Sequence, residues 1–305
     1  MLYIMKRNVY IALAVIASLA MTSCNEDAQF RGELYKKVIY VLSNTDFTFE
    51  TEHAFGETST GYVTIYCGGT EHINKDVTVE LEYDNEAVPK YNYINFDLDE
   101  SRYAHELDPS RYRISSYQVV LKASNPDNYS LLPIEINPDG LSPDSIYFVP
   151  LRIKSVSDYE INPNKQYVMY RVLLKNEYAT MKTTTYYQVT GVETRGENAA
   201  GISVTRIVAP VSKNQIRFFA GTNTYNPSTV TREELAKYAV VATINDDKTV
   251  TISSHSGCEV EQLDAPDSNY WEVNARGLYV LHLNYRYKDP QGTWVTMEEN
   301  CVQRK

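Results

Sequence analysis

The stretch "VTVELEYD", residues 77 to 84, sets Val77, Val79, Leu81 and Tyr83 against Thr78, Glu80 and Glu82. Strict two-residue alternation sends successive side chains to opposite faces of a strand, so this segment fits a sheet with one face buried and one wet. The pattern recurs along most of the chain. "YVTIYC" places Val63, Ile65 and Cys67 on one face, and similar runs fall at 117–122, 146–153 and 167–174. In 146–153 the apolar positions are even before Pro150 and odd after it, which predicts a bulge or an edge position at the proline. Turn-rich pieces such as "ASNPDNYS" and "NPDGLSPDS" separate the runs. Short strands punctuated in this way argue a β-sandwich.

A second set of strands is expected at 186–192, 202–208, 215–219, 238–244, 249–253, 278–287 and 293–297. The polar, threonine-rich "NEYATMKTTT" ahead of it is the best linker, with the boundary near residue 180. One helix interrupts this half. "TREELAKY" offers Thr231 as N-cap and Glu234 three residues on, the spacing of a capping box. The expected fold class is all-β: an Ig-like β-sandwich over 31–180, then a second sandwich or barrel over 181–305 carrying one short helix.

The first thirty residues read as an address. Lys6 and Arg7 precede an uncharged apolar run from Val9 to Met21, too short for the roughly 20 residues that span a bilayer and consistent with a secretory signal. Met21-Thr22-Ser23-Cys24 resembles a bacterial lipobox, and Glu26-Asp27 resembles the acidic export tag of Bacteroidetes surface lipoproteins. That resemblance implies a signal peptide over 1–23, a lipidated Cys24 at the mature N-terminus, a tether over 24–30 and a location on the outer face of the outer membrane. Several acyl chains hold far more firmly than one.

Removal of the signal leaves 27 basic side chains against 39 acidic, a formal charge of −12, which repels nucleic acid. Tyrosine is abundant, with 26 residues against eight Phe and two Trp, and it suits both sheets and surfaces that meet hydroxylated ligands. Cys67 reads as a buried thiol. Cys258 and Cys301 share the C-terminal half and are the candidates for a disulfide, although a sequence does not give their separation.

Residues 107–166 resemble the N-terminal Ig-like domain of Bacteroidetes polysaccharide-utilisation lipoproteins, a module also found ahead of some family-eighteen glycosidase domains. The matching pieces are Leu107, Pro109 and Tyr112 in one turn, Gly140-Leu141 in another, Tyr147, Pro150 and Leu151 in a strand, and Ile161-Asn162 in a loop. The C-terminal half resembles the domain that follows that module in cell-surface glycan-binding lipoproteins. The resemblance implies a non-catalytic protein, without a cofactor, that captures oligosaccharide or polysaccharide beside an outer-membrane receptor and importer pair. A structural or adhesin role and a small glycoside hydrolase are its rivals. Asp144-Ser145-Ile146 also resembles a short O-glycosylation motif of these bacteria.

The residues themselves show no catalytic signature. "FDLDES" holds Asp97, Asp99 and Glu100 but reads as a solvated acidic loop; a glycosidase needs a spaced pair of carboxylates. G-x-S-x-G, H-E-x-x-H, glycine-rich phosphate loops and zinc spacings are missing, and the five histidines are scattered. Sugar binding requires an aromatic platform with donors and acceptors around it. Trp294 falls opposite Val295 and Met297 in the alternation and is the first platform candidate. Tyr270 and Trp271 follow the loop-like "DAPDSN", and Tyr225 sits in "GTNTYNPS". Tyr285 and Tyr287 share a face with Tyr279, Leu281 and Leu283, so they either line a cavity or extend the core.

Overall fold

The computed structural model describes residues 35–304; the signal segment, Cys24 and the tether lie outside them. Eleven strands build the first domain: β1 (Val38–Val41), β2 (Thr48–Ala54), β3 (Ser59–Gly68), β4 (Val77–Tyr83), β5 (His105–Glu106), β6 (Tyr112–Arg113), β7 (Gln118–Leu121), β8 (Tyr129–Ile136), β9 (Tyr147–Val156), β10 (Glu160–Ile161) and β11 (Tyr167–Lys175). One sheet runs β10-β1-β3-β8-β6 and the other β2-β11-β9-β4-β7, with β5 beside β9. Between them lie Val63, Ile65 and Cys67 of β3, Val77, Val79 and Leu81 of β4, and Val149, Leu151 and Ile153 of β9, all buried as the alternation requires. β2 and β11 run parallel, in register from Thr48 opposite Met169 to Ala54 opposite Lys175.

One expectation needs correcting. The bulge in β9 lies at Lys154, because Leu81 pairs with Ile153 while Glu80 pairs with Ser155. Pro150 is accommodated otherwise: its carbonyl accepts the Asp84 N–H at 3.1 Å where β4 stops, so its missing donor breaks no ladder. The apparent switch of parity arises because both faces of β9 are covered at Phe148. A second helix, α1 (Ala87–Phe96), packs Ala87 and Val88 there against Phe148 and Met169. Its segment contains Pro89 and several Asn and Tyr, poor signals for a helix, and tertiary packing holds it. The Asn92 amide closes the following loop by donating to Ala104 O at 2.9 Å and accepting Ala104 N–H at 2.8 Å.

The second domain contains β12 (Thr185–Arg195), β13 (Asn198–Ser212), β14 (Gln215–Phe219), α2 (Arg232–Tyr238), β15 (Ala239–Ile244), β16 (Val250–Ser254), β17 (Val260–Gln262), β18 (Tyr270–Val273), β19 (Tyr279–Lys288) and β20 (Trp294–Gln303). These nine strands form one sheet, β16-β15-β14-β13-β12-β20-β19-β17, with β18 beside β19. It curls until its ends almost meet. The Ile252 N–H donates to Gln262 Oε1 at 2.8 Å across the seam, and Thr249 bridges to Tyr270. The choice between sandwich and barrel therefore resolves as a nearly closed barrel. The predicted capping box of α2 is present in both directions.

The barrel interior holds an ion pair. Arg206 donates to both oxygens of Glu299, at 2.7 and 2.6 Å, and to Gly221 O at 2.7 Å, while the Tyr285 hydroxyl donates to Glu299 at 3.3 Å. Cys301 lies 3.8 Å from Arg206 and from Glu299. Cys258 and Cys301, the candidates for a disulfide, do not pair; each is a free, buried thiol. Burial pushes the Cys258 thiol up to about 11, and Glu259 adds to the shift.

The two domains meet through a second buried ion pair. Asp144, from the loop before β9, accepts both terminal nitrogens of Arg217 on β14. The Tyr225 hydroxyl accepts from Arg217 at 2.9 Å and donates to Asp144 at 3.2 Å, and His255 Nε2 lies 3.4 Å from the guanidinium. The Arg217 side chain has no exposed surface. Asn176 adds a hinge restraint: its Oδ1 accepts from Tyr178 and Ala179 N–H, and its Nδ2 donates to Ser212 O and Gln215 O. Tyr178 and Ala179 already pack in the second core, so only two residues separate them from the end of β11.

Candidate functional site

The outward face of the second domain near the junction carries an open cleft of ≈470 Å³. Its floor and rim come from the polar segment 176–185, the first residues of β12, Thr205 in the middle of β13, and the end of β20 with Arg304 beyond it. Alternation along β12 turns Tyr187 into the barrel, 1% exposed, and leaves Tyr186 facing solvent, 41% exposed. The Arg304 N–H donates to Tyr186 O at 2.8 Å, extending the ladder one residue past β20. Its guanidinium reaches Thr205 Oγ1 at 3.3 Å. Gln303 donates to Tyr178 O at 3.2 Å, and Glu177 accepts the Tyr279 hydroxyl. Thr183 and Thr184 are exposed on the rim. One ring, two threonine hydroxyls, a guanidinium and a carboxylate thus share a small concave surface. Such a set offers an apolar face and donors and acceptors in alternation, the combination a pyranose presents in complement.

The residues singled out from sequence are not gathered at this cleft. Tyr225, Tyr285 and Tyr287 are 2%, 0% and 1% exposed, which removes them as platforms. Tyr225 is consumed by Asp144 and Arg217, and Tyr285 by Glu299, because a buried phenol needs a partner. Trp271 is half-buried on the barrel side of β18. Its indole donates to Asn245 O at 2.8 Å and packs edge-on against Tyr178, with Lys248 Nζ 3.3 Å from the ring centroid. It contacts Tyr279, whose hydroxyl meets Glu177, so it stands behind the cleft and supports it. Tyr270 stacks on His282 at 4.2 Å on the outer face.

Trp294 does face outward, as its alternation predicts, but Arg286 Cζ lies over its ring at 4.6 Å and Lys288 Nζ at 5.7 Å. Those cations are also paired with Glu261 and Glu259. Trp294 begins β20 while Gln303 ends it, so the two surfaces are about 30 Å apart along the strand. Tyr186, Arg304 and Glu177 were not legible as site residues. The signal was there in "TTTYYQ", where adjacent tyrosines must point to opposite faces, yet the threonines read only as linker. Among the described residues, no cluster of His, Cys, Asp and Glu is arranged to hold a metal ion.

Comparison with known proteins agrees with this architecture. A family model for an N-terminal domain matches residues 35–160, and one for a C-terminal domain matches 166–301. The chain thus pairs the two modules in order, although β11, which completes the first domain's sheet, falls within the second match. No curated protein matches the chain by sequence. A protein of unknown function from Bacteroides ovatus has a similar fold at a TM-score of 0.65, with 16% identity over 88% of this chain and 95% of that one. A second protein of unknown function from Bacteroides ovatus has a TM-score of 0.64 at 16% identity, over 91% and 94%. An auxiliary nutrient binding protein from Bacteroides thetaiotaomicron has a TM-score of 0.58 at 16% identity, over 86% and 93%. At such identity these likenesses establish the fold.

Proposed function

We propose that this protein is a non-catalytic, cell-surface glycan receptor, lipidated at Cys24, that captures oligosaccharide or polysaccharide for an outer-membrane receptor and importer pair. The observation that carries the reading is the polar cleft framed by Tyr186, Thr183, Thr184 and Arg304. The shared fold of an auxiliary nutrient binding protein supports it. The lie of the domains supports a spacer role for the first. Lys36 pairs with Glu160 beside the β9–β11 connection, whereas Lys175 and Asp144, at the other end of those strands, adjoin the second domain. A chain fastened ahead of residue 35 would therefore place the length of the first domain between the anchor and the cleft at the junction.

The carboxylates with displaced pKa values, Asp76, Glu80, Asp108, Asp158, Glu233 and Asp247, all move downward. Side-chain hydrogen bonds to their partners lead in each case, the opposite of what a general acid needs. The test is affinity electrophoresis and calorimetry of the mature protein against a panel of plant and host glycans, with reducing-sugar release followed in parallel. Tyr186→Ala is expected to weaken binding about 2–10-fold, the loss of one ring contact, with Arg304→Ala of similar size. Release of sugar, no retardation by any glycan, or variants that bind like the parent would reject the proposal. Mass spectrometry of the mature N-terminus tests the anchor separately.

A further inference from the structure

Strand β13 pairs with β12 from Asn198 opposite Arg195 to Val208 opposite Thr185, whereas β14, its other neighbour, joins it only from Ala209. One edge of residues 198–205 therefore carries no strand. The two-residue turn at Gly196 and Glu197 makes Arg195 and Asn198 a bonded pair, so even-numbered residues of β13 spend their backbone groups on β12. The Arg304 N–H, donating to Tyr186 O on the far side of β12, fixes the same phase. The N–H and C=O groups of Ala199, Gly201, Ser203 and Thr205 then point to the open edge. Such edges are ordinarily blunted by lysine, proline or a bulge. This one reads "NAAGISVT" in unbroken register, and a Cβ on Gly201 would meet nothing nearer than Gly191 O at 4.0 Å.

We infer that a second copy of this chain adds its own β13 to this edge, antiparallel, with the two-fold axis at Gly201. Sterics and charge choose the register. Continuing the β13–β14 pairing sets Phe219 opposite Ile207, and the two share one cluster, so an added strand can reach no further than residue 206. The longest self-pairing that stops there puts Gly201 opposite Gly201, Ala199 opposite Ser203 and Glu197 opposite Thr205. Directly opposed residues share a face. Glu197 of one copy, exposed in its turn, thus comes beside Thr205 of the other, whose hydroxyl accepts from the Arg304 guanidinium at 3.3 Å. Symmetry makes that contact twice. No like charge opposes it. The outward side chains of β12 and β13 along the seam are uncharged, and Arg195, on the other face, is already paired with Glu193 and Asp289. Glu298 lies opposite Val192, two strands in from the edge, and stays about 24 Å from its counterpart, well past the screening length. An unrelated extended peptide would gain the backbone bonds without the repeated charge pair. A two-fold normal to the sheet also keeps both outward faces on one side. If the cleft binds glycan as proposed above, the pair presents two clefts whose Thr205 rims are about 27 Å apart, a spacing that favours polymers over short oligosaccharides.

The test is oxidative crosslinking of the full chain in its own host, a readout that needs no glycan. Gly201→Cys sets one thiol on each side of the axis at the roughly 5.5 Å Cα separation of a bonded pair, within disulfide reach. Ser203→Cys lies two residues further along each strand, about 14 Å from its counterpart. Cys67, Cys258 and Cys301 are buried and stay silent. Oxidation is expected to link Gly201→Cys into a dimer of the chain, and neither Ser203→Cys nor the parent. Glu197→Arg in the Gly201→Cys background should cut the yield at least fivefold, and Arg304→Glu added to it should restore the yield. All four positions are exposed, so melting temperatures should match the parent's. No dimer from a Gly201→Cys chain that melts like the parent, equal yields from 201 and 203, or linkage to a different protein would overturn the inference. So would a yield that Glu197→Arg leaves unaltered or that Arg304→Glu fails to restore.

Discussion

Replacing Asp144 by Ala is the sharpest probe of how the two domains hold together. Arg217 would remain with no exposed side-chain surface, facing Tyr225 and His255 but no counter-charge. Removing one partner of a buried pair costs about 3–5 kcal/mol, because the remaining charge is stranded out of water. With a urea m-value of about 2 kcal/mol per molar, the midpoint should fall by about 2 M. The assay can resolve where the loss falls, since both tryptophans, Trp271 and Trp294, belong to the second domain. Fluorescence reports that domain alone and circular dichroism reports both. The parent should unfold with coincident curves, and Asp144→Ala should separate them. Asp144→Leu combined with Arg217→Met removes the whole pair and should recover most of the stability, as apolar replacement of complete buried pairs does. A midpoint unchanged in Asp144→Ala, or a double variant as unstable as the single, would refute the coupling.

Other expectations follow from buried groups. His53 is fully buried, bonded to Ser59 Oγ at 2.7 Å and the Tyr170 hydroxyl at 2.8 Å; burial, joined by Lys175, lowers its pKa to about 4. The unfolded chain then binds more protons between pH 4 and 6.5, so this contribution is whole above pH 6.5 and is lost as pH falls, by about 3 kcal/mol in all. Unfolding free energies measured across that window should show the slope in the parent and a flatter profile in His53→Gln. Cys258 and Cys301 should take up iodoacetamide fully in denaturant without reductant, and peptide mapping that finds them linked would contradict the structure. Thr231→Ala removes the side-chain oxygen that accepts the Glu234 N–H and should cost about 0.5–2 kcal/mol in chemical denaturation.

Strands could be read from the sequence because period-two alternation is local: β4 buries Val77, Val79 and Leu81 just as its pattern states. α2 announced itself through Thr231 and Glu234 for the same reason. What failed was non-local. α1 exists because Phe148 and Met169, over fifty residues on, give it something to cover, and its own residues argue against it. Closure of the barrel brings Gln262 beside Ile252, only ten residues away in the chain, but it requires β15, β14, β13, β12, β20 and β19 to pair in that order between them. The tyrosines misled through their dual nature. Tyr225 looks like a loop residue until Asp144 and Arg217 are found to engage its hydroxyl, and Tyr285, left by its pattern between cavity and core, proves to be a core residue bonded to Glu299. The cleft was missed because Tyr186 becomes informative only once the end of β20 lies beside it.

The parallel pairing of β2 with β11 has a mechanical consequence. Force applied between the start of the chain and the second domain pulls β2 backward from its first residue and β11 forward from its last. Two parallel strands loaded in that sense slide past each other, so the bonds from Thr48 to Ala54 must rupture together and cannot open one at a time. Only the short β1, four residues long, would peel away first. A body held by one end in moving fluid would keep its fold under drag that would unzip a hairpin.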